Sequence, residues 1–435
     1  MTDDIHCDLL VAGAGMAGMA AGARAACSGL DTVVAGSSSF LGFSSGILDY
    51  IGVYPADSRT HLSDPCRGLD RLREDFPKHA YALTGHDKIL ESFAFVSRLL
   101  KGAGLPYTCR PGRNTAVLTA MGTFRPGYMV PATVAPGTRA VPGSFEGKTL
   151  LVAGIRGLTG FSAAQVAQGA LSEYDRTVAV EVVLPGVKNN VPPQILASRM
   201  EDPGIQSEFI RQVSDRANQR GVDADVCGIP AVCGINNSHK ILTDMEKKVG
   251  LPMFEIPGGP PSVPGLRLKH AFERILAERG ARLLSNVRLK DPVFDGKRFT
   301  VTADFSPHPR KIRARGIVLA TGRFFGSGLH ARRERIVETL FHLDVTQPLG
   351  RRHWHDNRFL TPRGHRINRA GIETDSRFRP LDERRRPVYA HLYAAGSILA
   401  HNDWPRLKSG SGTALVSACA AVDAFAASGE AGRDD

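Results

Sequence analysis

Residues 13–18 read Gly13-Ala14-Gly15-Met16-Ala17-Gly18, three glycines in a spacing that suits a bound phosphate. The first glycine permits a tight turn and the second lets a phosphate reach the backbone. The third lets the next helix press on the preceding strand, with the helix N-terminus facing the anion. The context agrees, because an apolar run (DLLVAG, 8–13) comes before and a small, Ala-rich stretch (15–29) after. A glycine-rich packing turn is the alternative. Thr321-Gly322 follows the apolar IVLA, and Gly396-Ser397 follows LYA, so the strand-then-glycine pattern recurs twice. Ser409-Gly410-Ser411-Gly412 then opens an Ala-rich final helix, whose unpaired N–H groups and dipole suit an anion. Each turn alone has a structural reading; in this order they support one another.

The elements that must position these turns are legible in outline. DLLVAG and DTVVAG (31–36) read as two parallel strands joined by the helix over 15–29. At the end of the second strand a dinucleotide site normally carries an acid for a ribose, yet Gly36, Ser37, Ser38 and Ser39 stand there. Residues 102–148 are broken by Pro and Gly, which favours loops and short strands. A new β–turn–α pattern starts at KTLLVAG (148–154), with a strand over 177–186, helix over 203–226 and a buried strand in DVCGIPAVCGI (225–235). A proline-rich loop then feeds an amphipathic helix over 256–280. The expected fold is α/β: a discontinuous Rossmann-like nucleotide domain, three-layered with a parallel sheet, from residues 1–55 plus 311–435. A large α/β domain is inserted over 56–310.

Composition narrows the function classes. With 435 residues, 42% hydrophobic and 23% charged, the chain is ordinary globular protein long enough for about two to three domains. The flank MTDDIHCD is acidic where a secretory leader is basic, and no run reaches about 20 apolar residues. These features imply a cytoplasmic chain, with any membrane contact peripheral. The seven cysteines include no CxxC, so no zinc or iron–sulfur framework is expected, and electrons leaving through a cluster need another chain. His353-Trp354-His355-Asp356 has no further ligand cluster and reads as a loop; no metal site is expected. Gly154–Gly160, spaced GxxGxxG, reads as a βα turn, and no GxSxG elbow supports a serine hydrolase. The net charge is +12, and residues 310–386 hold 19 Lys/Arg against 8 Asp/Glu, a difference of +11. A solvated arginine-rich surface, an anionic substrate, acidic lipid, an acidic partner and nucleic acid all fit such a segment.

The motifs together resemble one family. The ATG and AGS turns recur in flavoproteins of the two-dinucleotide-binding type, where an acid at the position of Ser397 holds flavin ribityl hydroxyls. GAGMAG, FSSGILDY (43–50), VAGIRGLTGF (152–161), PPSVPGLRL (260–268), VLATGRFFGSGL (318–329) and LYAAGSILA (392–400) resemble, in order, the B subunits of anaerobic glycerol-3-phosphate dehydrogenase complexes. The stretch HNDWPRLKSGSG (401–412) departs from that pattern by being basic.

The resemblance implies a fumarate-reductase-like flavin fold binding FMN non-covalently, with FAD as the alternative. It implies an FAD-bearing A subunit and an iron–sulfur, membrane-anchoring C subunit as partners, at the cytoplasmic face of the membrane. The complex would oxidise sn-glycerol 3-phosphate to dihydroxyacetone phosphate and pass electrons to menaquinone. FMN also answers the missing acid, since it has no adenosine ribose. Ser44, Ser45 and Gly46 are then expected to meet the flavin's phosphate or ring. Removing hydride from a secondary alcohol needs a base and cations for the phosphate. Arg267, Lys269, His270 and Arg323 are the candidates, with surface charge as their other reading. Two competing functions are a flavin-fold scaffold or electron relay without catalysis, and a flavin-dependent RNA-modifying enzyme. The latter is disfavoured because few aromatics interleave the arginines and no catalytic cysteine motif is present, so nucleic acid is not an expected partner.

Overall fold

The computed structural model describes residues 4–58, 60–140, 143–305 and 308–430. The chain divides into two compact units: residues 1–40, 49–99 and 272–435 form the first, and 41–48 with 100–271 the second.

The first unit is built on a mixed sheet. Strand β1 (Ile5–Ala12) leads through the glycine turn into helix α1 (Met16–Cys27) and strand β2 (Thr32–Gly36). Later come β3 (Arg282–Ser285), β4 (Arg288–Phe294), β5 (Phe299–Asp304), β6 (Arg310–Leu319), β7 (Leu392–Ala394) and the final helix α2 (Gly410–Glu430). The sheet order is β3-β2-β1-β6-β5-β4, with β7 also on β6. The β3, β2, β1, β6 and β7 pairings are parallel, and Ile5 to Ala12 run beside Ile312 to Leu319. The hairpin β4–β5 lies antiparallel on the first half of β6, whereas β7 takes its last three residues. Leu9 to Ala12 are all fully buried, as a parallel strand covered on both faces must be.

Helix α1 packs closely because it is made of small residues. A Cβ on Gly22 would lie 2.4 Å from Val34 Cγ2. Helix α2 departs from the sequence reading, which found no apolar run of membrane-spanning length. Its Gly410–Gly429 stretch is long and apolar enough by length and composition, but 61% of that window is buried inside the protein. Its Ala418, Ala421 and Val422 are fully buried, so its hydrophobicity serves the core of its own unit.

The second unit holds a four-stranded parallel sheet, ordered Met253–Ile256, Val226–Pro230, Thr149–Ile155, Arg176–Val182. Alternation along Thr149–Ile155 feeds two cores. Leu151 and Ala153 join Val182, Phe209 and Ile229, while Leu150 and Val152 join Phe145, Tyr174 and Phe254. The Pro- and Gly-broken region forms two small antiparallel sheets. Both units are thus α/β with parallel sheets, the fold class expected from the sequence.

The unit boundaries differ from the expected inserted domain of 56–310. Residues 56–99 and 272–310 belong with the first unit. The reason is pairing: β3 adds to β2, and β5 adds to β6, so these strands complete the first sheet.

Candidate functional site

In the first unit the strand ends and their glycine turns pack together. Gly13 has φ +112°, and a Cβ there would sit 2.3 Å from the Ala320 carbonyl oxygen, so the first turn lies directly on the Ala320–Gly322 turn. A Cβ on Gly18 would sit 1.7 Å from Gly13 O, fixing the start of α1 against its own turn. Gly15 differs in kind. It is the N-cap of α1, no side chain caps that helix, and nothing lies within 4 Å of a Cβ built on it. A helix N-terminus with uncapped N–H groups beside open space is a fit for a phosphate.

The other turns show the same division between packing and polar groups. Gly322 has φ +72°, with Ser397 Oγ 3.4 Å from its would-be Cβ, which brings the second and third turns together. Gly396 has φ +82°, donates its N–H to Ser417 Oγ at 2.8 Å and lies on Ala17. Ser397 is half-buried. At the start of α2, Ser411 Oγ accepts from Asp49 N at 2.7 Å. Gly410 packs on Trp404, and a Cβ on Gly412 would lie 2.0 Å from Asp49 O. Gly412 is therefore a close-packing residue.

Several buried polar atoms in this unit lack a hydrogen-bond partner, and four of them, Thr321 Oγ1, Arg323 Nε, Asn402 Nδ2 and Ser409 Oγ, lie at the glycine turns and the 402–409 segment. Buried polar groups are normally paired, so orphans concentrated at the glycine turns and the 402–409 segment fit a polar ligand. Arg323 itself is committed. Its guanidinium donates to the carbonyls of Asn368, Leu399 (3.2 Å) and Asn402 (2.9 Å). Burial draws its pKa down to about 10 while Asp403 works the other way, so it stays cationic at neutral pH. It acts as a latch across three segments.

Beneath that latch lies a group the sequence did not flag. His79 is fully buried, accepts from Tyr81 N at Nδ1 (3.1 Å) and faces Asn402 Oδ1 with Nε2 (3.2 Å). Because Nδ1 accepts, the proton is on Nε2, donated to Asn402. Burial lowers its pKa to about 4. No motif marks PKHAYAL; only the fold brings His79 to Asn402.

The end of β2 answers the question of the missing acid. Gly36 has φ +153°, and a Cβ there would sit 2.8 Å from Ala14 N, so no side chain fits. A carboxylate arrives from elsewhere: Glu273, on the helix Val263–Glu278, accepts from Ser38 Oγ at 2.7 Å. Beside it Ser37 Oγ meets Asn286 Oδ1 at 3.2 Å, and Asn286 N donates to Gly36 O.

The remaining candidates lie in the second unit. Ser44 Oγ accepts from Gly46 N (3.2 Å), and Ser45 Oγ accepts from Ile47 N (3.3 Å) and Arg125 Nη1 (2.8 Å). Gly46 has φ +77° and backs onto Pro264. These hydroxyls organise their own turn. Arg267 is 2% exposed and forms a bidentate pair with fully buried Glu255 (2.5 and 2.8 Å), plus a bond from Nε to Gly234 O. Burial works to raise the Glu255 pKa, but the guanidinium outweighs it and holds the carboxyl below its usual range. Arg267 is thereby accounted for without a substrate. Lys269 and His270 are half-buried on the same helix. In the Gly154–Gly160 turn, Gly157 backs onto Lys188 O and Ser162 caps the following helix through Gln165 N, a structural βα turn. Among the described residues no group of three or more His, Cys, Asp or Glu is placed to hold a metal.

The family model described as FAD binding domain matches residues 8–413. The chain is 27% identical over 441 residues to the B subunit of anaerobic glycerol-3-phosphate dehydrogenase from Aliivibrio fischeri, covering 96% of this chain and 95% of that protein. It is 29% identical to the protein of the same name from Pectobacterium atrosepticum, covering 94% and 96%. Among solved structures it resembles 3-ketosteroid delta1-dehydrogenase from Sterolibacterium denitrificans, at 12% identity and TM-score 0.44, covering 97% of this chain and all of that one.

Proposed function

We propose, since this chain belongs to the FAD binding domain family, that it is the flavin-carrying B subunit of a glycerol-3-phosphate:quinone oxidoreductase. The observation that carries the reading is the end-to-end likeness to the B subunits of anaerobic glycerol-3-phosphate dehydrogenases, about 95% of both chains in each case. The complex oxidises sn-glycerol 3-phosphate to dihydroxyacetone phosphate and sends the electrons to menaquinone. An FAD-bearing A subunit and an iron–sulfur C subunit complete it at the cytoplasmic face of the membrane.

A flavin, when bound, supplies a ring that accepts a hydride and releases electrons singly or in pairs. The chain's residues hold it. The N–H groups at Gly15 and the start of α1 take phosphate, and Thr321 Oγ1 and Ser409 Oγ supply polar contacts. Arg323 keeps the segments at 368, 399 and 402 in register. The two arginines named as substrate-binding candidates are both spent on internal contacts. That observation favours an electron-relay role for this chain, with substrate oxidation on the A subunit.

Within this reading the flavin is FAD in preference to FMN. Glu273 supplies, from a separate helix, the carboxylate that Gly36 has no room to carry, and a ribose diol is the group such an acid suits. The test is to purify the chain, release the flavin and identify it by chromatography, alongside Glu273→Gln. FAD near one per chain, replaced by FMN or lost in the variant, is expected. FMN in the wild-type chain overturns the FAD assignment alone, whereas a colourless protein that takes up no flavin overturns the whole reading.

A further inference from the structure

Two large apolar side chains next to each other in sequence are almost fully exposed: Phe359 and Leu360, each at 88%. Leu349 is similar at 89%. Burying a Phe or Leu is worth about 1.5–3 kcal/mol to a fold, and this one leaves both out. They stand in a loop that is nonetheless well pinned. Its base is closed by Ile367 N donating to Trp354 O at 3.0 Å, with Trp354 itself only 2% exposed. Within it, His365 accepts from Asp356 N at Nδ1 (3.1 Å) and reaches Phe359 O through Nε2 (3.0 Å). Arg406 holds the far side through Pro362 O, and Gly364 N closes a turn on Thr361 O. The loop is shaped to present Phe359 and Leu360.

The surrounding charge is predominantly positive. Residues 345–372 contain six arginines and a single acid, Asp356. Arg351, Arg352, Arg358, Arg363 and Arg366 are exposed. Much of the rest of the basic segment is neutralised internally: Arg313 pairs with Asp4, Arg315 with Asp8, Arg379 with Asp375, Arg385 with Glu373 and Arg386 with Asp382. Asp356 accepts from the Arg358 backbone N–H at 3.1 Å, and it lines an open cleft of about 620 Å³ with Arg358 and Arg363.

We infer that the Trp354–Ile367 loop docks this chain directly on an anionic lipid bilayer. Phe359 and Leu360 enter the interfacial layer while the flanking guanidiniums meet lipid phosphates. A protruding aromatic–aliphatic pair ringed by arginines suits that boundary, where long cations keep their heads in the polar layer. A protein interface of ordinary size needs a broad complementary patch with an apolar centre, which a two-residue apex does not offer. The contact is the chain's own and adds to any anchoring through partner chains.

The full purified chain, with its flavin, is tested by co-sedimentation with phosphatidylcholine vesicles and with mixed phosphatidylcholine–phosphatidylglycerol vesicles. Binding to the mixed vesicles, weakening as salt rises, is expected, with little binding to the neutral ones. Arg358→Ala with Arg363→Ala should weaken it about thirty-fold, a factor of about five for each cation. Phe359→Ser with Leu360→Ser should weaken it at least about tenfold. Unchanged flavin content shows that the variants are folded. No binding to the mixed vesicles, or equal binding by both double variants and the wild type, overturns the inference. So does loss of a co-purifying protein in the Phe359/Leu360 variant without any vesicle binding by the wild type, which would make the loop a protein contact.

Discussion

The second glycine of the first turn offers a clean separation of cofactor binding from folding. Gly15→Ala adds one methyl where nothing lies within 4 Å, at φ −78°, which any residue adopts. Its folding cost is that of a poorer N-cap, about 0.5–1 kcal/mol. Gly18→Ala adds the same methyl 1.7 Å from Gly13 O, where the backbone must move. For binding the order reverses. The methyl at 15 occupies the space a phosphate needs to reach the α1 N-terminus. Losing the dipole contact and one charged hydrogen bond removes about 2–4 kcal/mol, or roughly thirty- to a thousand-fold in affinity. The assay pairs flavin released per purified chain with urea denaturation of the flavin-free protein. Gly15→Ala should be nearly as stable as wild type and flavin-poor, and Gly18→Ala should be unstable even without flavin. A Gly15→Ala protein that keeps stoichiometric flavin would refute the placement of the phosphate at this helix.

Three further outcomes follow from buried groups. Removing one partner of the Arg267–Glu255 pair, as in Glu255→Gln or Arg267→Met, should destabilise the protein by about 3–5 kcal/mol in denaturant titrations, because the other charge stays buried. His79 has a folded pKa near 4 against an ordinary 6.5, so the unfolded chain takes its proton first. Stability should fall by up to about 3 kcal/mol as pH drops from 6.5 to 4, a slope that His79→Gln removes from a pH series of urea midpoints. Native protein treated with a thiol reagent should label Cys27 and Cys109, which are exposed, while Cys7, Cys227, Cys233 and Cys419 react only after unfolding. Burial pushes the Cys7, Cys227 and Cys419 thiols up to about 12, so mass-spectrometric mapping that finds them labelled in the folded chain would contradict the packing.

Local pattern was enough for the fold class and for the glycine turns. A strand followed by Gly13, Gly322 or Gly396 needs positive φ or close approach, and that demand is written in residue type. The same logic identified the amphipathic helix that follows the proline-rich loop within 256–280 and the buried strand near 226, because apolar periodicity is a property of neighbouring residues. It failed where the deciding contact joins distant segments. Residues 272–310 belong to the first unit because β3 and β5 find edges on β2 and β6, and nothing in those strands names their partners. Arg267 reads as a surface cation until Glu255 is seen to clamp it, and the apolar α2 reads as ordinary until its burial is known.

The stretch Gly36–Ser39 shows the same division. The sequence alone determined that no acid stands at the end of β2. Only the tertiary structure decided what that absence means: Gly36 is held too close to Ala14 for any side chain, and the carboxylate of Glu273 comes from 235 residues later to reach Ser38. Backbone conformation is chosen by a residue and its neighbours, so sequence carries it. A polar group's partner is chosen by packing across the whole chain, so only the fold can supply it.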